Sequence, residues 1–172
     1  MRKIHYRVAM SLDGFILGPN GEVDWILPDP EVNFTEIWAQ YDTLLMGRKT
    51  YAPAIDRLGP NAFQGMKTVV VSRTLQPSAC PNATIIRELT NDAIPSLREE
   101  SKKDIWLFGG GELFRSLLEM GEVDAVEVSI MPVLLGGGVP LMAPPALRSK
   151  LRLKGQKIYG SGIVSLTYDV EK

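Results

Sequence analysis

Apolar and polar positions along the chain follow two rhythms, and the sharpest change between them falls at residues 105–118. Ile105, Trp106, Leu107 and Phe108 form an unbroken apolar run that meets Gly109, Gly110 and Gly111. Leu113, Phe114, Leu117 and Leu118 then recur on one helical face. A short continuous apolar run is a strand buried on both faces, and three-and-four spacing marks an amphipathic helix, so this stretch predicts strand, glycine turn and helix.

The same reading applies along the rest of the chain. Residues 3–10 predict a first strand, ended by turn chemistry at Asp13 and Gly14. Residues 15–30 are loop-like and long enough to suggest a functional segment, with Trp25 and Ile26 too apolar for a spacer. Phe34, Ile37, Trp38 and Tyr41 recur at helical spacing, which predicts a helix over residues 30–41 opened by Pro30 and Glu31. A buried strand at 43–46 runs into Gly47, Arg48, Lys49 and Thr50, where a second helix begins that ends before Gly59 and Pro60. Strands follow at 67–72, with three successive valines, and at 84–87. Thr90 opens a helix to about Ser101, with Asp92 in its first turn. Residues 123–131 predict a long strand, and residues 132–138 an extended, glycine-ended excursion. Residues 151–159 and 163–170 alternate around Gly160, Ser161 and Gly162, which predicts a closing antiparallel hairpin.

Strand and helix alternate through the middle, which implies right-handed parallel crossovers, and the final hairpin makes the sheet mixed. The expectation is one α/β domain over residues 1–172: three layers, a mostly parallel central sheet, helices on both faces and a C-terminal antiparallel hairpin. No internal repeat or linker divides it.

Composition narrows the chemistry. Nineteen basic residues stand against 20 acids, a net charge of -1, without the basic surplus of a nucleic-acid binder. One histidine, His5, and one cysteine, Cys80, are too few for a structural zinc site. His5 lies within the first strand and reads as structural, and Cys80, between Pro77 and Pro81, reads as a loop thiol. No apolar run reaches a membrane span, and the chain opens directly on a strand pattern, so the cytoplasm is the expected compartment.

In open α/β sheets ligands bind beyond the carboxyl ends of the strands. Three such ends carry suggestive residues here: Gly47, Arg48, Lys49 and Thr50 at one helix start, Ser72 and Arg73 after the valine strand, and Gly109, Gly110 and Gly111 at another helix start. Helix N-termini favour phosphate, glycine lets a ligand approach the backbone, and arginine grips phosphate with a fork that lysine lacks. Together they suit a dinucleotide with an additional phosphate.

The stretches Ala9–Gly14, Met46–Thr50, Thr68–Arg73, Phe108–Gly111 and Met131–Gly136, in that order, resemble the dihydrofolate reductase superfamily. They are most similar to its bacterial branch related to the reductase domain of the bifunctional riboflavin-biosynthesis deaminase-reductase. The resemblance spans nearly the whole chain and implies a dihydrofolate reductase-like fold with NADPH as hydride donor. It implies that Gly47, Arg48, Lys49 and Thr50 hold the cofactor phosphates and that Ser72 and Arg73 take the 2′-phosphate. Gly109, Gly110 and Gly111 would lie along the pyrophosphate and nicotinamide, with a cis peptide at Gly109–Gly110. Glu112 and Leu113 extend the same cofactor-facing turn, although a carboxylate beside phosphates is unfavourable and Glu112 should point away. Ala9 and Ile16 would meet the nicotinamide, and residues 13–25 would form a mobile flap.

The substrate implied is a small pterin or a ribosylamino-pyrimidine. Glu31 corresponds most nearly to the acid that faces the pterin, and Ser129 to a strand threonine beside it. The competing readings are an exposed helix-start glutamate and a satisfied core hydroxyl. Phe108 departs from the riboflavin enzymes, which commonly have an acid there, and without a deaminase zinc motif the chain would be a stand-alone reductase. The rival function is a non-catalytic nucleotide-binding or interaction protein that keeps the scaffold. The apolar excursion at Pro132–Leu135 suggests a homodimer interface.

Overall fold

The computed structural model describes residues 1–145 and 148–172. In chain order the elements are β1 (Ile4–Ser11), β2 (Phe15–Leu17), α1 (Phe34–Ala39), β3 (Tyr41–Gly47), α2 (Arg48–Leu58), β4 (Lys67–Val71), β5 (Thr84–Ile86), α3 (Ala93–Glu100), β6 (Asp104–Gly109), α4 (Gly111–Glu119), β7 (Ala125–Met131), β8 (Val139–Pro140), β9 (Leu151–Ile158) and β10 (Val164–Val170). A single turn of 3-10 helix at Pro77–Ala79 precedes β5.

Eight strands form one sheet in the order β5-β4-β3-β6-β1-β7-β10-β9. The pairs from β5 to β7 are parallel, and β10 joins antiparallel to both β7 and β9. The expected mixed sheet and closing hairpin are both present.

Strand alternation sorts the apolar side chains into two cores. Leu45, Val69, Ile105 and Leu107 point to one face, where Ile94 and Leu97 of α3 and Leu113, Phe114 and Leu117 of α4 cover them. Leu44, Met46, Val70 and Trp106 point to the other, beneath Trp38 of α1 and Tyr51 of α2. The apolar runs have no polar gap because both faces of these strands are covered.

Four elements differ from expectation, one of them α3, which starts at Ala93 behind Asp92 and not at Thr90. Helix α1 starts at Phe34, not at residue 30, because the Asn33 side chain accepts the Glu36 amide at 3.2 Å and sets the cap there. Tyr41 opens β3 instead of closing the helix. The loop after Gly14 contains β2, which pairs antiparallel with β8 as a separate two-stranded sheet. At that crossing Gly138 has φ +134°, and a Cβ on it would stand 2.1 Å from the Leu17 carbonyl. Only glycine fits there.

Candidate functional site

The sheet order places β4, β3, β6, β1 and β7 side by side. Their carboxyl ends therefore lie in one row, about 19 Å long at four strand spacings. Gly47 pairs with Val71, so Ser72 and Arg73 leave β4 beside the start of α2. Met46 pairs with Gly109, and Ala9 pairs with Ser129. Between β3 and β6 the crossovers diverge: α2 leaves on the Trp106 face and α4 on the Leu107 face. Such a switch point opens a crevice at the strand ends.

Two helices open into this crevice without help from a side chain. The caps are Gly47 for α2 and Gly110 for α4, and neither start has a side-chain cap hydrogen bond. Their first amides are therefore available to an anion, at the positive end of each helix dipole. The two starts touch, since a Cβ on Gly110 would stand 3.3 Å from Thr50 Oγ1. The Gly109–Gly110 peptide is cis. Gly111 is small for a different reason: a Cβ there would meet the Pro140 carbonyl at 2.8 Å. Its surroundings are the chain after β8, so packing demands this glycine.

Lys49 Nζ reaches Glu112 Oε1 at 2.9 Å across the two helix starts, and this hydrogen bond leads the lowering of the Glu112 carboxyl pKa. Glu112 thus turns onto a lysine. Both groups are mostly exposed, and a pair of that kind is weak enough to part for an arriving anion. Leu113 is buried in the α3–α4 core, so only its backbone can face the crevice.

Ser72 is buried, and its Oγ accepts the amides of Thr74 and Leu75 at 3.3 and 3.0 Å. The hydroxyl proton is left free to donate. Arg48 and Arg73 are exposed at the same end of the sheet. Arg87, which sequence reasoning passed over, donates to the Arg73 carbonyl at 2.8 Å and to Gln76 Oε1 at 3.2 Å. Its signal was its place directly after β5, the neighbour of β4.

Ile16 lies on β2, half-buried. The loop that carries it is tied at its root by Asp13, which accepts from Ser11 Oγ at 2.6 Å, Leu135 N at 3.1 Å and Gly136 N at 2.7 Å. These bonds, led by the Ser11 hydroxyl, bring the Asp13 pKa down to about 2. Farther along, Trp25 packs with Met131 and Ile163. The segment expected to be a flap is therefore fastened at both places.

Ser129 lies beside Ala9 and shares a 2.8 Å hydrogen bond with Ser165 Oγ. Glu31 lies outside α1, exposed, with Lys157 Nζ 3.9 Å from its carboxylate. The buried carboxylate of that segment is Asp29, which accepts the amides of Glu31 at 2.8 Å and Ser161 at 3.2 Å. Hydrogen bonding, first from Ser161, holds its pKa below the usual carboxylate value, so Asp29 ties the loop to the β9–β10 turn as an ionised acceptor. Its only sequence signal was its place two residues before Glu31.

Comparison with known proteins gives a consistent set. A family model described as the RibD C-terminal domain matches residues 2–165. The uncharacterised protein YyaP of Bacillus subtilis is 35% identical over 97% of this chain and 94% of its own length. A solved structure assigned to riboflavin biosynthesis in Shewanella sp. PV-4 superposes with TM-score 0.82 at 23% identity, covering 100% of both chains. Dihydrofolate reductase from Enterococcus faecalis, solved with NADP(H), superposes with TM-score 0.70 at 15% identity, covering 99% of this chain and 97% of its own.

Proposed function

The chain belongs to the RibD C-terminal domain family, and from that membership we propose that it is an NADPH-dependent reductase of a small heterocycle, a pterin or a ribosylamino-pyrimidine. The observation that supports this reading best is the pair of uncapped helix starts meeting at the β3–β6 switch point, with Ser72 and Arg73 beside them. The residues fit the cofactor. Thr50 packs where the glycines carry no side chain, the free amides of α2 and α4 suit a pyrophosphate, and a buried hydroxyl with an exposed arginine suits one further phosphate.

NADPH, when bound, supplies the hydride that reduces a C=N or C=O carbon. The protein's part is alignment and exclusion of water. Gly47, Arg48, Lys49 and Thr50 hold phosphate at one helix start. Gly109, Gly110 and Gly111, with the backbone of Glu112 and Leu113, border it at the other. Ala9 and Ile16 set the plane of the reacting ring. Ser129 and Glu31 are the candidate residues for proton handling. Ser129 is the nearer to Ala9, one strand spacing away, and its Ser165 partner leaves it able either to donate or to accept.

The exposure of Glu31 and its pairing with Lys157 favour the rival reading, a nucleotide-binding protein without turnover. One experiment separates the two. NADPH titrated against tryptophan fluorescence should saturate at micromolar concentration, and dihydropterins or pyrimidinediones should then provoke cofactor oxidation. Saturation without oxidation by any of them supports the rival in its nucleotide-binding form, and no binding at high micromolar concentration removes the reductase and leaves the rival only as an interaction protein. The proposal includes a homodimer. In the Pro132–Leu135 excursion Val133 and Leu135 pack inward while Leu134 is 69% exposed. Sedimentation should report twice the chain mass, and a monomer at micromolar concentration counts against it.

A further inference from the structure

The sheet face on the α1 side carries a charged pair that neither the core nor the phosphate cradle uses. Arg7 stands two residues before Ala9 on β1, so both side chains leave the same face, about 7 Å apart along the strand. Opposite them on β7 are Glu127 and Ser129, and opposite those on β10 are Thr167 and Ser165. Helices α1 and α2 pack over β3, β4 and β6, whereas the middle of this face on β1, β7 and β10 is polar at Arg7, Glu127 and Thr167, with Ala9 and Met131 under Trp25 beyond it.

Glu127 is occupied from both sides. His5 Nδ1 lies 2.6 Å from Oε1, and Arg7 Nη1 donates to Oε2 at 2.6 Å. Burial pushes its carboxyl up, but hydrogen bonding with His5 and the Arg7 charge leave it below the usual range. The anion is thus fixed, and it fixes Arg7. A guanidinium has five N–H donors. Glu127 takes one of those on Arg7, and at 23% side-chain exposure Arg7 still meets solvent. The Tyr41 hydroxyl, buried beside Arg7, closes the α1 side.

We propose that Arg7 is a specificity-determining residue of the substrate site, selecting a substrate that turns paired acceptor oxygens, as a dicarbonyl edge or a carboxylate, toward the sheet. The inference rests on the reductase reading for placing the reacting ring at Ala9. A guanidinium fork meets two acceptors with two parallel hydrogen bonds. An edge of amino and ring N–H groups would set donors against donors and leave both unpaired in a half-buried place. Glu127 acts through Arg7 as a positioning residue.

The test is ligand-observed NMR on the NADPH-saturated protein, which keeps anionic probes off the phosphate cradle. The probes are orotate, with carbonyl and carboxylate acceptors, and 2,4-diaminopyrimidine, with a donor edge. Orotate should bind the wild type at least ~10-fold more tightly. Arg7→Met should remove that preference, Arg7→Lys should restore only part of it, and Glu127→Gln should reduce it several-fold. NADPH affinity should stay within about twofold in every variant, since the sites do not share partners. Equal binding of the two probes, binding of neither, or a preference that survives Arg7→Met would overturn the proposal and assign the Arg7–Glu127 pair to the sheet alone. If Arg7→Met fails to fold by circular dichroism, Arg7→Lys and Glu127→Gln decide: an unchanged preference in both overturns it. If the wild type does not bind NADPH the reductase reading falls, and an Arg7-dependent orotate preference measured on the protein alone keeps Arg7 as the acceptor-selecting residue of a binding site.

Discussion

Arg98→Met should cost the protein about 3–5 kcal/mol of stability, lowering the thermal midpoint by roughly 6–20 °C. Arg98 sits on the inner side of α3 with only 3% of its side chain exposed. It donates to the Asp124 carboxylate at 2.7 Å and to the Glu122 carbonyl and carboxylate at 2.6 and 3.1 Å, and it also reaches the Arg2 carbonyl. One guanidinium thereby ties α3 to the chain just before β1 and β7. Methionine matches much of its volume and none of its donors, so Asp124 and two carbonyls lose a partner in a place with little water. Replacing Asp124 by asparagine in the same chain should recover part of the loss, because the carboxylate is then no longer left half-buried with Lys172 as its counter-charge. A urea denaturation series on the single and double variants measures both. A single-variant loss below about 1 kcal/mol would mean that the cluster is solvated and ordinary.

The same cluster gives stability a pH dependence. Burial raises the Asp124 pKa, but the Ile4 amide and the Arg98 guanidinium outweigh it and leave the net value lowered. A folded-state pKa below the unfolded one contributes stability that is complete above the unfolded value, about 3.9, and is lost as pH falls below it. Asp13, Asp29, Asp42, Glu112 and Glu127 shift the same way. Acid unfolding should therefore set in below about pH 4, with a shallower slope in Arg98→Met.

Arg98 was invisible in the sequence because an arginine in a helix reads as a solvated face. Arg7 was missed for a related reason. It alternates with Tyr6 and Val8, the pattern of a strand with one wet side, and alternation does not say that the wet side is a site. The strand ends were legible because each joins an apolar run to glycine or a base within one or two residues, a local pattern. The β2–β8 pairing was not, since it joins Phe15 to Pro140 across the chain and depends on the missing Cβ of Gly138. The start of α1 was readable but misread. Apolar spacing at 34, 37 and 38 was correct, yet Pro30 was given the opening position that Asn33, three residues before Glu36, holds.

Arg73→Ala should raise the Kd for NADPH about 10- to 100-fold while changing the Kd for NADH less than about twofold. The two cofactors differ only in the 2′-phosphate, so a residue that holds that group must separate them. Arg73 leaves β4 at its carboxyl end, exposed, next to the buried Ser72 whose hydroxyl proton is free. Its backbone carbonyl is held by Arg87, and alanine keeps that contact, so thermal stability should not change and a loss of affinity cannot be charged to unfolding. Lysine at the same position should recover only part of the affinity, since it keeps the charge and loses the fork. Raising salt should narrow the gap between wild type and variant, because the contact is exposed and screened. A parallel loss for NADPH and NADH would move Arg73 from the 2′-phosphate to a phosphate that both cofactors share. No loss for either would take the adenosine end of the cofactor away from β4 altogether, and with it the argument that five strand ends form one cradle.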